Sequence, residues 1–398
     1  MQKYPIRQGI PGFKFSALRA GIKKDNGLDV GLIISDRPCA VAGVVTRNSV
    51  KAAPVLDCSK KIKSGVARAI LVNSGNANAC TGEKGLQATD CTCAALATQL
   101  DIKKQWILPC STGVIGVPLP EGKIIDALPG LITAATPSQA AGFAESILTT
   151  DTCIKTISVR EKINGHYVHV CGIAKGSGMI MPNMATMLAF IITDADIDDS
   201  LLRTMLREEN ELSFNRICVD GDMSTNDTVL AMAGGKSGIS IKRNSKRYAP
   251  FRAMLRRVMQ ELALMIVKDG EGATKLLRIN VASARTDADA KKAAMQVARS
   301  CLVKTAFFGE DFNWGRIIAA VGQSGAACTP ERISMHFNTI LAVCDGQAVP
   351  GNQKRLAQIM KKKEIKINID LAKGTKSCEV LTCDLSYDYV KINADYTT

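Results

Sequence analysis

The sequence predicts a mixed α/β fold of layered sheets flanked by helices, with a large antiparallel share. Three observations predict it. Short apolar, β-branched runs recur along the chain, and many are joined by turns too short to hold a crossover helix. Between some of them lie windows in which apolar residues return every three or four positions, the period of a helix face. Apolar residues make up 46% of the 398 residues, enough for a sizeable core.

Residues 27–36, 39–46 and 67–75 read as strands broken by Gly, Asp, Pro and Asn. Residues 84–100 and 136–150 carry the helical spacing. Residues 156–175 suggest a hairpin turning at Asn164-Gly165, a pair suited to a type I′ turn. Residues 187–195, MLAFIITDA, read as a buried strand, apolar and partly β-branched. A helix over 198–214 and a strand over 228–238 follow, then a long helix over 248–270 closed by Lys268 and Gly270. Further strands fall within 276–284, 333–346 and 364–386, and the alternation in 389–396 predicts a terminal strand. No internal repeat, low-complexity segment or long linker interrupts the chain.

Composition narrows the function. The formal charge of +14 gathers in basic clusters at 60–63, 241–247 and 361–363. Aromatic residues are only 5% and no nucleic-acid module is present, so these read as solvated faces that attract anionic metabolites, not nucleic acid. No apolar run reaches the roughly 20 residues that cross a bilayer. The N-terminal segment also lacks a secretory apolar core, so a cytoplasmic protein with no membrane partner is expected. Fourteen cysteines without a CxxC read as reduced, mostly small core residues, among them Cys80, Cys171, Cys218 and Cys344.

His166 and His169 stand at odd spacing on one strand, hence on opposite faces, and His336 is distant, so no metal is expected. The cluster Asp220, Asp222, Asn226 and Asp227 lacks calcium-loop spacing and reads as turn-building. Gly235-Lys236-Ser237 and the run from Gly270 to Lys275 both miss the phosphate-loop pattern, so no nucleotide cofactor is asked for.

The stretch KGSGMIMPNMATMLAF, Lys175 to Phe190, carries the most chemical information. Gly176 and Gly178 free the backbone, Pro182 stiffens it, and Thr186 arrives between Ala185 and the apolar strand. Such a loop could deliver a hydroxyl nucleophile, and it equally suits an ordinary loop-to-strand junction.

Its context decides. The segment 183–190, NMATMLAF, resembles the self-cleavage site of the ornithine acetyltransferase (ArgJ) family of arginine biosynthesis. NSGNANACTG (73–82), CSTGVIG (110–116), TTDT (149–152), DGDMSTNDTV (220–229), DGEGATK (269–275), NWGRI (313–317) and NADYTT (393–398) resemble that family's motifs in the same order. Met223 departs from it, standing where a small polar residue is usual. The resemblance implies a layered α/β fold shared with self-processing aminopeptidases of the DmpA kind. It implies cleavage between Ala185 and Thr186 into fragments 1–185 and 186–398, which stay associated as a dimer of α–β pairs, a heterotetramer.

A hydroxyl nucleophile needs a base. With three histidines and none obviously near Thr186, the economical base is the α-amine that cleavage would free. An α-amine, with a pKa of about 7.7–8.0, is neutral for roughly a tenth or more of the time at pH 7, a lysine at about 10.4 for under about a thousandth. The resemblance further implies that Thr186 takes acetyl from N-acetylornithine and passes it to glutamate by a ping-pong route, with acetyl-CoA admissible as a co-substrate and no cofactor. Oxyanion donors are implied at Thr112 and Gly113, and substrate contacts at Thr152, Lys175, Thr186, Glu271, Asn393 and Thr398. Lys175 suits a carboxylate and Glu271 an ammonium. An amidase or aminopeptidase using the same Thr186 with water as acceptor is the alternative enzyme reading. A basic RNA-binding scaffold is the alternative outside enzymes.

Overall fold

Two sheets organise the chain, as a computed structural model describing residues 1–181 and 187–395 shows. In chain order the strands are β1 (Gln2–Lys3), β2 (Phe13–Leu18), β3 (Val30–Val45), β4 (Val66–Asn76), β5 (Ile107–Val114), β6 (Lys155–Ile163), β7 (His166–Lys175) and β8 (Leu188–Thr193). They continue with β9 (Ile217–Cys218), β10 (Thr228–Ala233), β11 (Leu276–Ala284), β12 (Ser334–Phe337), β13 (Ile340–Cys344), β14 (Gln347–Ala348), β15 (Glu364–Asp370) and β16 (Lys376–Cys383). The first sheet runs β1-β6-β7-β8-β10-β3-β4-β5 with β2 beside β3, and the second runs β14-β13-β12-β15-β11-β16-β9. Both are mixed. Most pairs are antiparallel, while β8–β10, β4–β5, β11–β15 and β9–β16 are parallel.

The helices are α1 (Ala53–Lys61), α2 (Gly82–Leu100), α3 (Glu121–Thr133), α4 (Ala140–Ser146), α5 (Asp199–Glu211), α6 (Tyr248–Lys268), α7 (Asp287–Arg299), α8 (Cys301–Phe308), α9 (Trp314–Gln323), α10 (Gln353–Met360) and α11 (Tyr387–Asp395). Buried Val258, Leu262 and Ile266 of α6 pack with Val159 and Val170 of the first sheet and with Leu276 and Cys383 of the second. That helix is therefore the filling between the two sheets. The second sheet's other face packs on α7 and α9 through Ala294, Val297 and Val321.

Local chemistry explains the elements that match expectation. Asn164 and Gly165 both hold positive φ, 51° and 84°, the left-handed pair that closes the β6–β7 hairpin. β8 is buried at every residue, flanked by β7 and β10. His166 is exposed, while His169 packs inward and meets Asp194 Oδ2 at 2.6 Å. All fourteen cysteines are free.

Several expectations need correcting. Residues 27–36 and 39–46 form one strand, β3, whose register with β4 shifts between Ile34 and Cys39 instead of breaking at Pro38. The helix expected over 136–150 ends at Ser146, releasing Thr149 and Thr150 into a loop. Cys80 and Cys344 are exposed, not core residues. The predicted terminal strand is a helix, α11. Its alternation of Val390, Ile392 and Ala394 with polar neighbours imitates a strand. However, β16 is already flanked by β11 and β9, so the segment has no sheet edge beside that strand and satisfies its backbone internally.

Candidate active site

A cleft opens where β5, β7, β8 and the loops after β9 and α6 converge. Thr112 and Gly113 end β5 there, paired with Ser74 and Gly75 of β4. Gly113 has φ 132°, and a Cβ on it would collide with the Gly75 carbonyl carbon and lie 2.5 Å from Asn76 N. Only glycine lets β5 turn this close to β4. Asn226 Nδ2 braces the turn by donating to Ala77 O at 2.6 Å and Ser111 O at 2.9 Å.

Lys175 ends β7, paired with Leu188 at the start of β8. It is 8% exposed, donates to Thr149 Oγ1 at 2.6 Å and lies 3.6 Å from Asp151 Oδ2. Behind it stands a buried ionic network that sequence reasoning missed. Lys155, fully buried, bridges Asp151 Oδ1 at 2.6 Å and Asp269 Oδ2 at 2.5 Å. Burial alone would raise the Asp151 carboxyl, but Lys175, Lys155 and the Gly176 N–H outweigh it and hold the group at about 2. A signal was present in the i, i+4 spacing of Asp151 and Lys155, but nothing local points to Asp269.

Glu271 lines the same cleft as Lys175. Its N–H donates to Ser177 O at 3.2 Å, and a Cβ on Gly178 would strike its carboxylate. Asn393, on α11, donates through Nδ2 to Glu271 Oε2 at 2.8 Å, and Tyr389 one turn earlier lines the same cleft. Asp220 receives the N–H groups of Met179 and Ile180, fixing the loop beyond Gly178. Burial raises its carboxyl even though these donors oppose the shift.

The structure thus brings Thr112, Gly113, Lys175, Glu271 and Asn393 together around one cavity, with Met187 on its wall. Thr152 stands aside, its N–H and hydroxyl both donating to Asp269, while Thr149 and Thr150 line the cleft in its place. Ala185, Thr186 and Thr398 lie outside the described residues. The arrangement offers a cation and an anion facing one space beside a glycine turn. That suits a zwitterionic ligand.

Comparison with known proteins gives concordant results. The ArgJ family model matches residues 14–398. The "Arginine biosynthesis bifunctional protein ArgJ" of Geobacter sulfurreducens is 50% identical over 391 residues, 98% of this chain and 100% of the relative. Its namesake from Desulfotalea psychrophila is 50% identical over 389 residues, 97% of this chain and 99% of the relative. Among solved structures, the crystal structure of the like-named protein from Bacillus halodurans is similar at a TM-score of 0.52 and 39% identity. That similarity covers 53% of this chain and 100% of that one.

Proposed function

This chain belongs to the ArgJ family, and on that footing we propose that it transfers the acetyl group of N-acetylornithine to glutamate through an acetyl ester on Thr186, within arginine biosynthesis. The observation that carries the reading is the cleft itself. Lys175 and Glu271 offer opposite charges to an amino acid's carboxylate and ammonium, beside the Thr112–Gly113 turn and Met187, the residue that follows Thr186.

In this reading the chain cuts itself between Ala185 and Thr186, and the freed α-amine serves as base. Fragments 1–185 and 186–398 remain one catalytic unit and pair as a heterotetramer. Thr186 Oγ attacks the acetyl carbonyl, and backbone or hydroxyl donors of Thr112 and Gly113 receive the oxyanion, an interaction worth about 2.7–4 kcal/mol per donor. Ornithine departs, glutamate enters, and its amine takes the acetyl group. Lys175 meets the α-carboxylate and Glu271 with Asn393 the ornithine side chain, while Thr398 completes the contacts and Thr152 acts from behind the cleft through Asp269. The relatives' "bifunctional" name supports a second reaction, for which acetyl-CoA is the proposed alternative donor, the acyl-threonine being indifferent to its source. The proposed setting is the cytoplasm.

Incubating mature protein with N-acetylornithine, with and without glutamate, tests the reading. A transferase forms N-acetylglutamate and releases ornithine at a glutamate-dependent rate. Equal ornithine release in both arms would make it a hydrolase.

A further inference from the structure

Lys155 has no place in the chemistry above, and it does not line the cleft. It is fully buried at the start of β6, where its Nζ donates to Asp151 Oδ1 at 2.6 Å, Asp269 Oδ2 at 2.5 Å and Cys153 O at 3.3 Å. All three of its N–H donors are therefore used. Burial alone would lower the ammonium, but Asp151 and Asp269 outweigh it, so Lys155 keeps its proton. Buried ionic networks are often no more stabilising than apolar packing of the same volume, so stability is a weak account of this one. What it joins is more telling.

Each carboxylate leads to one of the two charges that line the cleft. Asp151 accepts the Gly176 N–H at 2.6 Å and lies 3.6 Å from Lys175 Nζ. Thr149, whose hydroxyl accepts from Lys175, donates its N–H to Asp151 Oδ2 at 3.2 Å. Asp269 stands two residues before Glu271 on the loop after α6. Ser177 stitches the two sides together: its hydroxyl donates to Asp269 O, and its carbonyl accepts the Glu271 N–H at 3.2 Å. Ser177 is as fully buried as Lys155. Three segments distant in sequence, 149–155, 175–178 and 269–271, thus meet around one buried ammonium.

We infer that Lys155, with the Ser177 cross-link, is a positioning residue that sets the spacing between Lys175 and Glu271, and with it the length of diamino acid the cleft accepts. The inference rests on the proposed reading in which those two charges hold the two ends of N-acetylornithine. The distance between an α-carboxylate and a side-chain ammonium changes with every methylene. A fixed pair of partners suits one length, and a homologue leaves one end short of its partner or pressed past it. Without the Lys155 charge, Asp151 and Asp269 become two buried anions with no cation between them. Their repulsion is strong where water is excluded, and the segments that carry Lys175 and Glu271 lose their common anchor.

The test compares kcat/KM for N-acetylornithine with that for Nα-acetyllysine, one methylene longer, and Nα-acetyl-2,4-diaminobutyrate, one shorter. The wild type should prefer N-acetylornithine by about tenfold or more, the scale on which one methylene is discriminated. In Lys155→Met that preference should fall by about tenfold, with the change lying in KM, and in Ser177→Ala by less. A loss of stability or of active protein lowers all three substrates alike and leaves the ratio unmoved. An unchanged ratio in folded Lys155→Met overturns the inference. Should that variant not fold, Ser177→Ala decides, since it keeps every ion pair: a lowered ratio supports the brace and an unchanged one overturns it. A wild type that accepts all three alike, or none of them, defeats the reading of the cleft itself. A discriminating wild type whose preference survives in the variants defeats only the role of Lys155.

Discussion

Asn393 Nδ2 donates to Glu271 Oε2 across 2.8 Å, binding α11 to the loop that follows α6. The same carboxylate leans over Gly178, the residue whose missing side chain makes room for it. Glu271 is only 8% exposed, so an arriving ammonium meets an acceptor already fixed and partly stripped of water. A hydrogen bond to a charged group is worth about 1.5–3 kcal/mol, which is roughly ten- to hundredfold in affinity. Glu271→Gln should raise KM for N-acetylornithine by about that factor with kcat nearly kept, and Asn393→Ala by less. Steady-state kinetics checks both. A fall in kcat at unchanged KM would remove Glu271 from substrate binding.

Gly113→Ala should be among the most damaging single changes in the cleft. The φ of 132° is barred to an L side chain, and the new Cβ would meet backbone of Gly75 and Asn76, which cannot swing away. The turn must then move, carrying Thr112 with it. Loss of one oxyanion donor alone costs about 2.7–4 kcal/mol, so the transfer rate should fall about a hundredfold or more. Single-turnover acetylation of the mature enzyme reads this directly. A variant retaining more than a tenth of the wild-type rate would take the oxyanion role away from this turn.

Much of this architecture could be read locally. The β6–β7 hairpin is announced by Asn164-Gly165, and β11 by the run Leu276 to Ala284, because turn chemistry and alternation act between neighbours. What could not be read depends on distant partners. Lys155 and Asp269 are 114 positions apart, and only the fold makes them an ion pair. The final helix was disguised because its alternation is genuine, while the neighbouring strands that exclude another strand beside β16 come from elsewhere in the chain. In α7 the spacing of Ala290, Ala293, Ala294 and Val297 is helical, but small side chains make a faint stripe. The candidate site was legible as motifs. Asp227 lay inside one of them and looked like a turn former until its burial was known.

Thr186→Ala should yield a protein that remains a single band on denaturing electrophoresis and forms no acetylated adduct. Thr186→Ser should still cut, more slowly, since it keeps the hydroxyl and loses the β-methyl that restricts its rotamer. Radiolabelled acetyl from N-acetylornithine would appear on the fragment beginning at residue 186 in the wild type and be absent in Thr186→Ala. Label retained in that variant would move the nucleophile elsewhere.

The Asp151–Lys155–Asp269 network should make folding sensitive to acid. The Asp151 carboxyl is held at about 2 in the folded protein, below its ordinary value of 3.8, so it binds protons less readily folded than unfolded. Stability from this group is therefore complete above the unfolded pKa and drains away as pH falls from about 5 towards 2. The shift corresponds to about 2 kcal/mol. Removing the charge costs more than the shift alone, because Lys155 is fully buried and Lys175 nearly so, and both lose part of their compensation. Breaking a buried pair typically costs about 3–5 kcal/mol, so Asp151→Asn should be destabilised by that order at pH 7. The gap between variant and wild type should narrow as pH drops below 4, since the unfolded wild-type carboxyl then takes up a proton that the folded one, held at about 2, still resists. The raised carboxyls of Asp220 and Asp227 push the other way, binding protons more readily when folded, but they are common to both proteins and cancel in the difference. Urea unfolding of both proteins at pH 7, 5 and 3 measures this. A gap independent of pH would mean that Asp151 acts through packing and not through its charge.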